Sequence, residues 1–197
     1  EDVFDFDWIG CTTSGEISNK GATNGSVVVY VVSSDHLDYN ISSIENMRLT
    51  PKVKGKELAR KGSFKEFREA DSDNKFIVLL KDTFAFEKAE KQWGTADKIL
   101  EGIYEKVDGF VPVVGGESGD DKKMSGRSSL FLNGEVIKEG SVGLFVKSDL
   151  EFGVGHSNGA EFDDDSEIIE LTDVEGQIIN EINDKTAVEE LARVWDT

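Results

Sequence analysis

The chain has no run of about eighteen apolar residues, so no stretch can cross a bilayer as a helix. Its longest purely apolar stretches are VVVYVV at 27–32 and IVLL at 77–80, and we expect a soluble protein. No basic segment followed by an apolar one precedes the first strand-like residues, WIGC. Because position 1 is Glu and the chain opens almost directly on that strand, we expect residues upstream of it. Cysteine is nearly absent: the single Cys11 allows no intrachain disulfide, which fits a reducing cytoplasm. Arginine is scarce too, with 5 Arg among 22 basic residues against 40 acidic ones. A net charge of −18 repels phosphate backbones, which excludes nucleic acid as a partner. The same acidity suits a salt-adapted host or plain solubility. Neither a Walker pattern with its lysine nor a G-x-G-x-x-G fingerprint occurs, so we expect no nucleotide cradle of those kinds and no cofactor.

What remains is a globular composition, 38% apolar over 197 residues, enough to bury a core. The β-branched run SVVVYVVS (26–33) reads as a buried strand pairing in a hairpin with LDYNIS. Leu58, Phe64 and Phe67 among charges predict a helix over 54–69 that Gly62 weakens or splits. KFIVLLKD (75–82) is a buried strand. Trp93, Ala96, Ile99, Leu100, Ile103 and Val107 fall at helical spacing over 87–107, and FVPVVGG then returns as a strand parallel to the first. SSLFLN, GEVIKEG, GSVGLFVKSD and LEFGVGH follow as strands with antiparallel neighbours. EFDDDSE reads as a surface turn and EIIELTDV as a strand. IINEI, a turn at Asn183-Asp184 and a helix capped by Asp184 or Thr186 close the chain. The class is mixed α/β.

Two segments echo each other. IGCTTSGE (9–16) matches VGGESGD (114–120), and GSVVVYVVS (25–33) matches GSVGLFVKS (140–148). We expect one domain over 1–197 made of two pseudo-repeated β-α-β-hairpin halves, near 1–70 and 75–197, the first without its leading β-α. Two glycine loops related in that way would converge on one crevice.

IGCTTSGEIS, VPVVGGESGDD, FLNGEVIKEGSVGLFV, GVGHSNG and DVEGQIINEINDKTAVEEL, in that order over nearly the whole chain, resemble the FIST (F-box and intracellular signal transduction) domain. The resemblance implies a cytoplasmic sensory module that binds small ligands such as amino acids and passes the signal to a downstream protein or companion domain. The chain departs from the family pattern at His156-Ser157-Asn158-Gly159, where a His-Gly-aromatic segment is usual, and at Thr186-Ala187 in place of Pro-Ala. The usual C-terminal companion domain does not follow within these residues.

The candidate site is built from both loops. Gly115, Gly116, Glu117, Ser118 and Asp120 offer unhindered backbone N–H groups, a hydroxyl and carboxylates, a set suited to a zwitterion: amides for its carboxylate, Glu117 or Asp120 for its ammonium. The other wall is Cys11, Thr12, Thr13 and Ser14, with His156 at the rim and Arg127 as a carboxylate clamp. A tight turn with its acidic residues in water explains the same glycines equally well. Asp120-Asp121 and EFDDDSE lack metal-ligand spacing and read as solvated acid. Cys11 with His36 or His156 would make a nucleophile pair only if brought close, and no third orienting residue can be named. We therefore expect a non-enzymatic sensor. An enzyme acting through the GGESGDD loop and an adaptor using its strand edges are the alternatives.

Overall fold

The structure, a computed structural model, describes residues 4–83, 95–107, 109–123, 125, 127–157, 167–175 and 178–195. Two compact units divide the chain, the first drawing its described residues from 4–154 and the second from 155–195. The mixed α/β class is as expected.

In the first unit, β1 (Ile9–Cys11), the hairpin β2 (Glu16–Ser18) and β3 (Gly21–Thr23), β4 (Leu37–Ile44), α1 (Pro51–Gly62), α2 (Lys65–Glu69) and β5 (Lys75–Lys81) come first. Then follow α3 (Thr95–Val107), β6 (Val113–Glu117), β7 (Leu130–Leu132), β8 (Glu135–Ile137) and β9 (Ser141–Ser148). A four-stranded sheet runs β4-β9-β5-β6, parallel between β5 and β6 and antiparallel elsewhere. The strand-helix-strand expectation for 75–115 therefore holds, although residues 87–94 of the predicted helix lie outside the described residues. Both faces of this sheet are covered, which is why β5 and β9 are near-continuous apolar runs rather than alternating ones. On one face Ile77, Leu79 and Phe145 meet Leu58 and Ala59 of α1 and Ile99, Ile103 and Val107 of α3. On the other, Val142 and Leu80 meet Leu130 and Ile137 of the small antiparallel sheet β1-β7-β8.

The helical layer depends on two glycines. A Cβ at Gly55 would lie 2.2 Å from the Ile99 carbonyl oxygen, and one at Gly102 would lie 2.1 Å from the Lys52 oxygen. The backbones of α1 and α3 thus touch, and Lys52 bridges the crossing to Glu101 and Glu105. Helix α1 starts with Pro51, whose missing N–H costs nothing in a first turn. It stops at Gly62, against the Phe145 ring, so the helix expected over 54–69 is split there into α1 and α2, one of the two effects expected of that glycine.

Two expected strands are absent. Residues 26–33 form no regular structure and their side chains are exposed, so the expected hairpin with Leu37–Ile44 does not form, although that second strand does. β-Propensity alone does not make a strand; a paired edge and a covering layer do. LEFGVGH at 150–156 is likewise not a strand, and of EFDDDSE at 161–167 all but Glu167 lies outside the described residues.

The second unit is β10 (Leu171–Glu175), β11 (Ile178–Ile182), β12 (Lys185–Thr186) and α4 (Ala187–Trp195), its three strands antiparallel in that order. The strand expected over EIIELTDV begins only at Leu171. The expected turn at Asn183-Asp184 has both residues at positive φ, 52° and 58°, as a two-residue hairpin turn requires. The Thr186 hydroxyl donates to Glu189 Oε2 at 2.6 Å across the first turn of α4. Glu190, 2% exposed, accepts hydrogen bonds from Arg193, Asn183 and Lys185. Chiefly the Arg193 guanidinium, with Asn183 and Lys185, holds its carboxyl down at about 2 rather than the usual 4.5.

Two outcomes follow. Gly102→Ala should destabilise by about 1–3 kcal/mol in denaturant melts, because the overpacked crossing outweighs the better helix propensity of alanine. Since the folded pKa of Glu190 is depressed, its contribution to stability is whole above pH 4.5 and fades as pH falls toward 2. Acid unfolding followed at Trp195 should lose that component in Glu190→Gln.

Candidate functional site

Parallel pairing sets the C-terminal ends of β5 and β6 side by side, Lys81 in register with Glu117, and the space beyond such ends is where open α/β sheets bind ligands. Three segments meet there: 82–83 after β5, 118–123 after β6 and 12–15 after β1. The Gly119 N–H donates to the Thr12 carbonyl at 2.7 Å and the Asp121 N–H to the Thr13 carbonyl at 3.0 Å. Thr12 is in turn clamped to Ser129, N–H to carbonyl at 2.9 Å and hydroxyl from the Ser129 N–H at 3.0 Å. A Cβ at Gly119 would sit 2.4 Å from Ser14 Oγ, so the glycine there is required by loop against loop.

Between the loops lies a groove of about 610 Å³, bounded by Thr13, Ser14 and Gly15 from the first loop and by Glu117, Ser118, Gly119 and Asp120 from the second. Thr83 and Lys122 complete its lining.

The chemistry beneath the groove is a buried polar network. Ser118, 2% exposed, donates from Oγ to Ser128 Oγ at 2.7 Å, and Ser128 donates to Asp82 Oδ1 at 2.5 Å. The Thr83 hydroxyl donates to the Ser118 carbonyl. The second oxygen of Asp82 accepts the Glu139 N–H at 2.9 Å. Lys81, its side chain 7% exposed, places Nζ 2.9 Å from Glu117 Oε1 and 3.0 Å from the Asp82 carbonyl. At the groove's other end Asp120 Oδ2 accepts the Ser125 N–H at 2.5 Å and its hydroxyl at 2.9 Å. The first loop is held from outside by Glu16, which accepts hydrogen bonds from Ser26 and Thr13; these keep its carboxyl below the usual range.

Of the residues expected at the site, Thr13, Ser14, Glu117, Ser118 and Asp120 line the groove, and Thr12 stands behind it as a brace. The remaining candidates do other work. Cys11 packs against the small core of Leu130, Ile137 and Val142, and burial pushes its thiol up, which disfavours the nucleophilic thiolate. His36 sits next to the opposite end of β4, its carbonyl receiving the Asp149 N–H, so no Cys11–His36 pair is assembled. Gly115, at φ 144°, would drive a Cβ to 1.9 Å from the Leu79 carbonyl oxygen; its glycine serves strand packing, whereas Gly116 faces open space. Arg127 is exposed and does not line the groove, and His156 is exposed in the second unit.

Two chemical expectations change as well. The N–H groups of Ser118, Gly119 and Asp121 donate to the carbonyls of Lys81, Thr12 and Thr13, so they brace the loops and do not form an anion cradle. Asp120 is buried and hydrogen-bonded, not solvated, while Asp121 is exposed beside Lys123. No cluster of three or more potential metal ligands occurs among the described residues.

The cation facing the groove is Lys122, which sequence reasoning passed over as part of a charge run. Its signal was the turn chemistry of GDDKK, for Asp121 and Lys122 both take positive φ, 60° and 61°. Lys81, Asp82 and Thr83 were legible as the polar end of a buried apolar strand.

Gly115→Val should lower stability by about 1–3 kcal/mol or more in chemical denaturation through overpacking, while Gly116→Val should melt close to the parent. Glu117→Gln leaves the Lys81 ammonium without its carboxylate and should cost about 1–3 kcal/mol, even with no ligand present.

A family model for the FIST N domain matches residues 1–185. A search of curated proteins finds no match. FIST domains are sensory, signal-transducing modules rather than catalytic ones. With that coverage, and with the expected order of glycine loops and strands, the chain belongs to the FIST N domain family.

Proposed function

We propose that this chain is a small-ligand sensor whose ligand seat is the groove between the 13–15 and 117–122 loops, and that the ligand is an amino-acid-like zwitterion. The observation that carries this reading is the groove's pairing of charges. Lys122 in the lining would offer an ammonium to a ligand carboxylate, and Glu117, paired to Lys81 through Oε1, and Asp120, held by Ser125 through Oδ2, line it with carboxylates for a ligand ammonium. The hydroxyls of Thr13, Ser14 and Thr83 supply neutral hydrogen bonds around them. At about 610 Å³ the groove is of ordinary size for a small-molecule site.

Signalling follows from the bracing. Two backbone hydrogen bonds, Gly119 to Thr12 and Asp121 to Thr13, join loops that are remote in sequence. A ligand held by side chains of both loops stabilises the braced arrangement over any state in which they part. That bias is what a downstream protein or companion domain in the cytoplasm would read.

A second reading rests on the chain Ser118–Ser128–Asp82, in which a groove hydroxyl is linked to a carboxylate, as an enzyme's nucleophile would be. No imidazole joins that chain among the described residues, and Ser118 is nearly inaccessible, so binding is the better fit.

Thermal melts with a library of amino acids and small metabolites test the proposal. A true ligand raises stability by RT ln(1 + [L]/Kd), about 2.7 kcal/mol at a hundredfold excess over Kd. Lys122→Gln should weaken the same ligand roughly ten- to hundredfold, the worth of one charge-assisted hydrogen bond, and leave the unliganded melt unchanged. A library in which no zwitterion shifts the melt would refute the ligand class, and turnover abolished by Ser118→Ala would favour the enzyme.

A further inference from the structure

Among the described residues, 26–33, SVVVYVVS, are the one long apolar run left in water. Val27 is 87% exposed and Tyr30 89%, and Val28, Val29, Val31 and Val32 are exposed with them. The segment is presented rather than frayed, because it is held at both ends. Ser26 gives its N–H and hydroxyl to Glu16 at 3.1 and 2.6 Å. Beyond Ser33, the Ser34 hydroxyl accepts the His36 N–H at 3.1 Å and the His36 carbonyl accepts the Asp149 N–H at 3.0 Å. Between those anchors no ladder pairing engages its backbone.

A β-branched segment whose backbone lies outside any ladder is a template for another strand. Three features of this one identify its partner. Residues 21–34 carry no charged side chain in a chain of net charge −18, so this is where two copies approach with least repulsion. The segment also reads almost the same in both directions. Antiparallel pairing about a twofold between Val29 and Tyr30 sets Ser26 opposite Ser33, Val27 opposite Val32, Val28 opposite Val31 and Val29 opposite Tyr30. Such a patch is complementary to itself, as a twofold interface demands, and its β-branched and aromatic cross-strand pairs are favourable ones. Finally, an open sheet edge of the same unit is a poor match. The open edge of β4 carries Asp38, Asn40, Ser42 and Ser43 among its eight residues, which would oppose valines.

We propose that residues 26–33 are a dimerisation strand, pairing antiparallel with the same residues of a second copy of this chain. A two-stranded ribbon is marginal in water, so the association is weak and reversible, and mutual repulsion of the acidic chains limits it to the pair.

Sedimentation equilibrium on the full chain over a concentration series, with amide hydrogen exchange on the same samples, tests this. The expected result is a shift from monomer to dimer with rising concentration, together with concentration-dependent protection of amides within 27–32. Val29→Lys, at an exposed position, should hold the protein monomeric throughout with an unchanged melting temperature, and Val29→Thr should keep the dimer. A parent chain that stays monomeric, a dimer that Val29→Lys leaves intact, protection independent of concentration, which would mean pairing within the chain, or growth past the dimer would each overturn the proposal.

Discussion

Lys81 ends β5, a central strand of the sheet, and Asp82 follows it; both are buried, and neither charge can be left without a partner in that position. Their partners come from three other stretches of chain: Glu117 from the end of β6, Ser128 and through it Ser118 from the segment between β6 and β7, and the Glu139 N–H after β8. Satisfying two buried ions therefore fixes where three separate segments begin and end. The groove is the space left above that network. Its walls are loops, but their roots are tied to a sheet covered on both faces, which is how a loop site obtains a defined geometry.

Rigidity below and adjustability above are the combination a sensor needs. The helical layer is locked by backbone contact at Gly55 and Gly102, whereas the two groove loops are joined mainly by two backbone hydrogen bonds and by the Gly119 contact with Ser14. Each such bond contributes only about 1 kcal/mol net. The free energy separating joined from parted loops is thus of the size that a small ligand can shift. The family's sensory role is physically reasonable in a chain with that contrast, and Cys11, turned into the small core, has no part in it.

Much of the fold was legible because local pattern and tertiary environment agree. KFIVLLK, the helical spacing of Ile99, Ile103 and Val107, and the return at VVGGE demand two covered faces and an intervening crossover, and the structure supplies both. The Asn183-Asp184 turn was legible from its left-handed preference alone. Misreading arose where one residue type serves two ends. The glycines of VVGGESG look alike in sequence, yet Gly115 makes room for the Leu79 carbonyl, Gly119 makes room for Ser14, and only Gly116 faces open space. Asp120 and Asp121 look like one solvated pair, but one is buried against Ser125 and the other lies in water.

By itself the sequence determined the class of the protein: mixed α/β, strongly acidic, without an apolar run long enough for a membrane-spanning helix, and with FIST-type glycine loops in order. These follow from composition, periodicity and motif order, which are properties of the chain whatever its neighbours. Tertiary structure alone decided which loop residues share a groove, that Lys122 rather than Arg127 faces it, and that SVVVYVVS stays outside the sheet. Each of those depends on what lies across a strand edge or a loop contact, and such a partner is chosen by packing and by the need to satisfy buried polar groups, neither of which is written in any one segment.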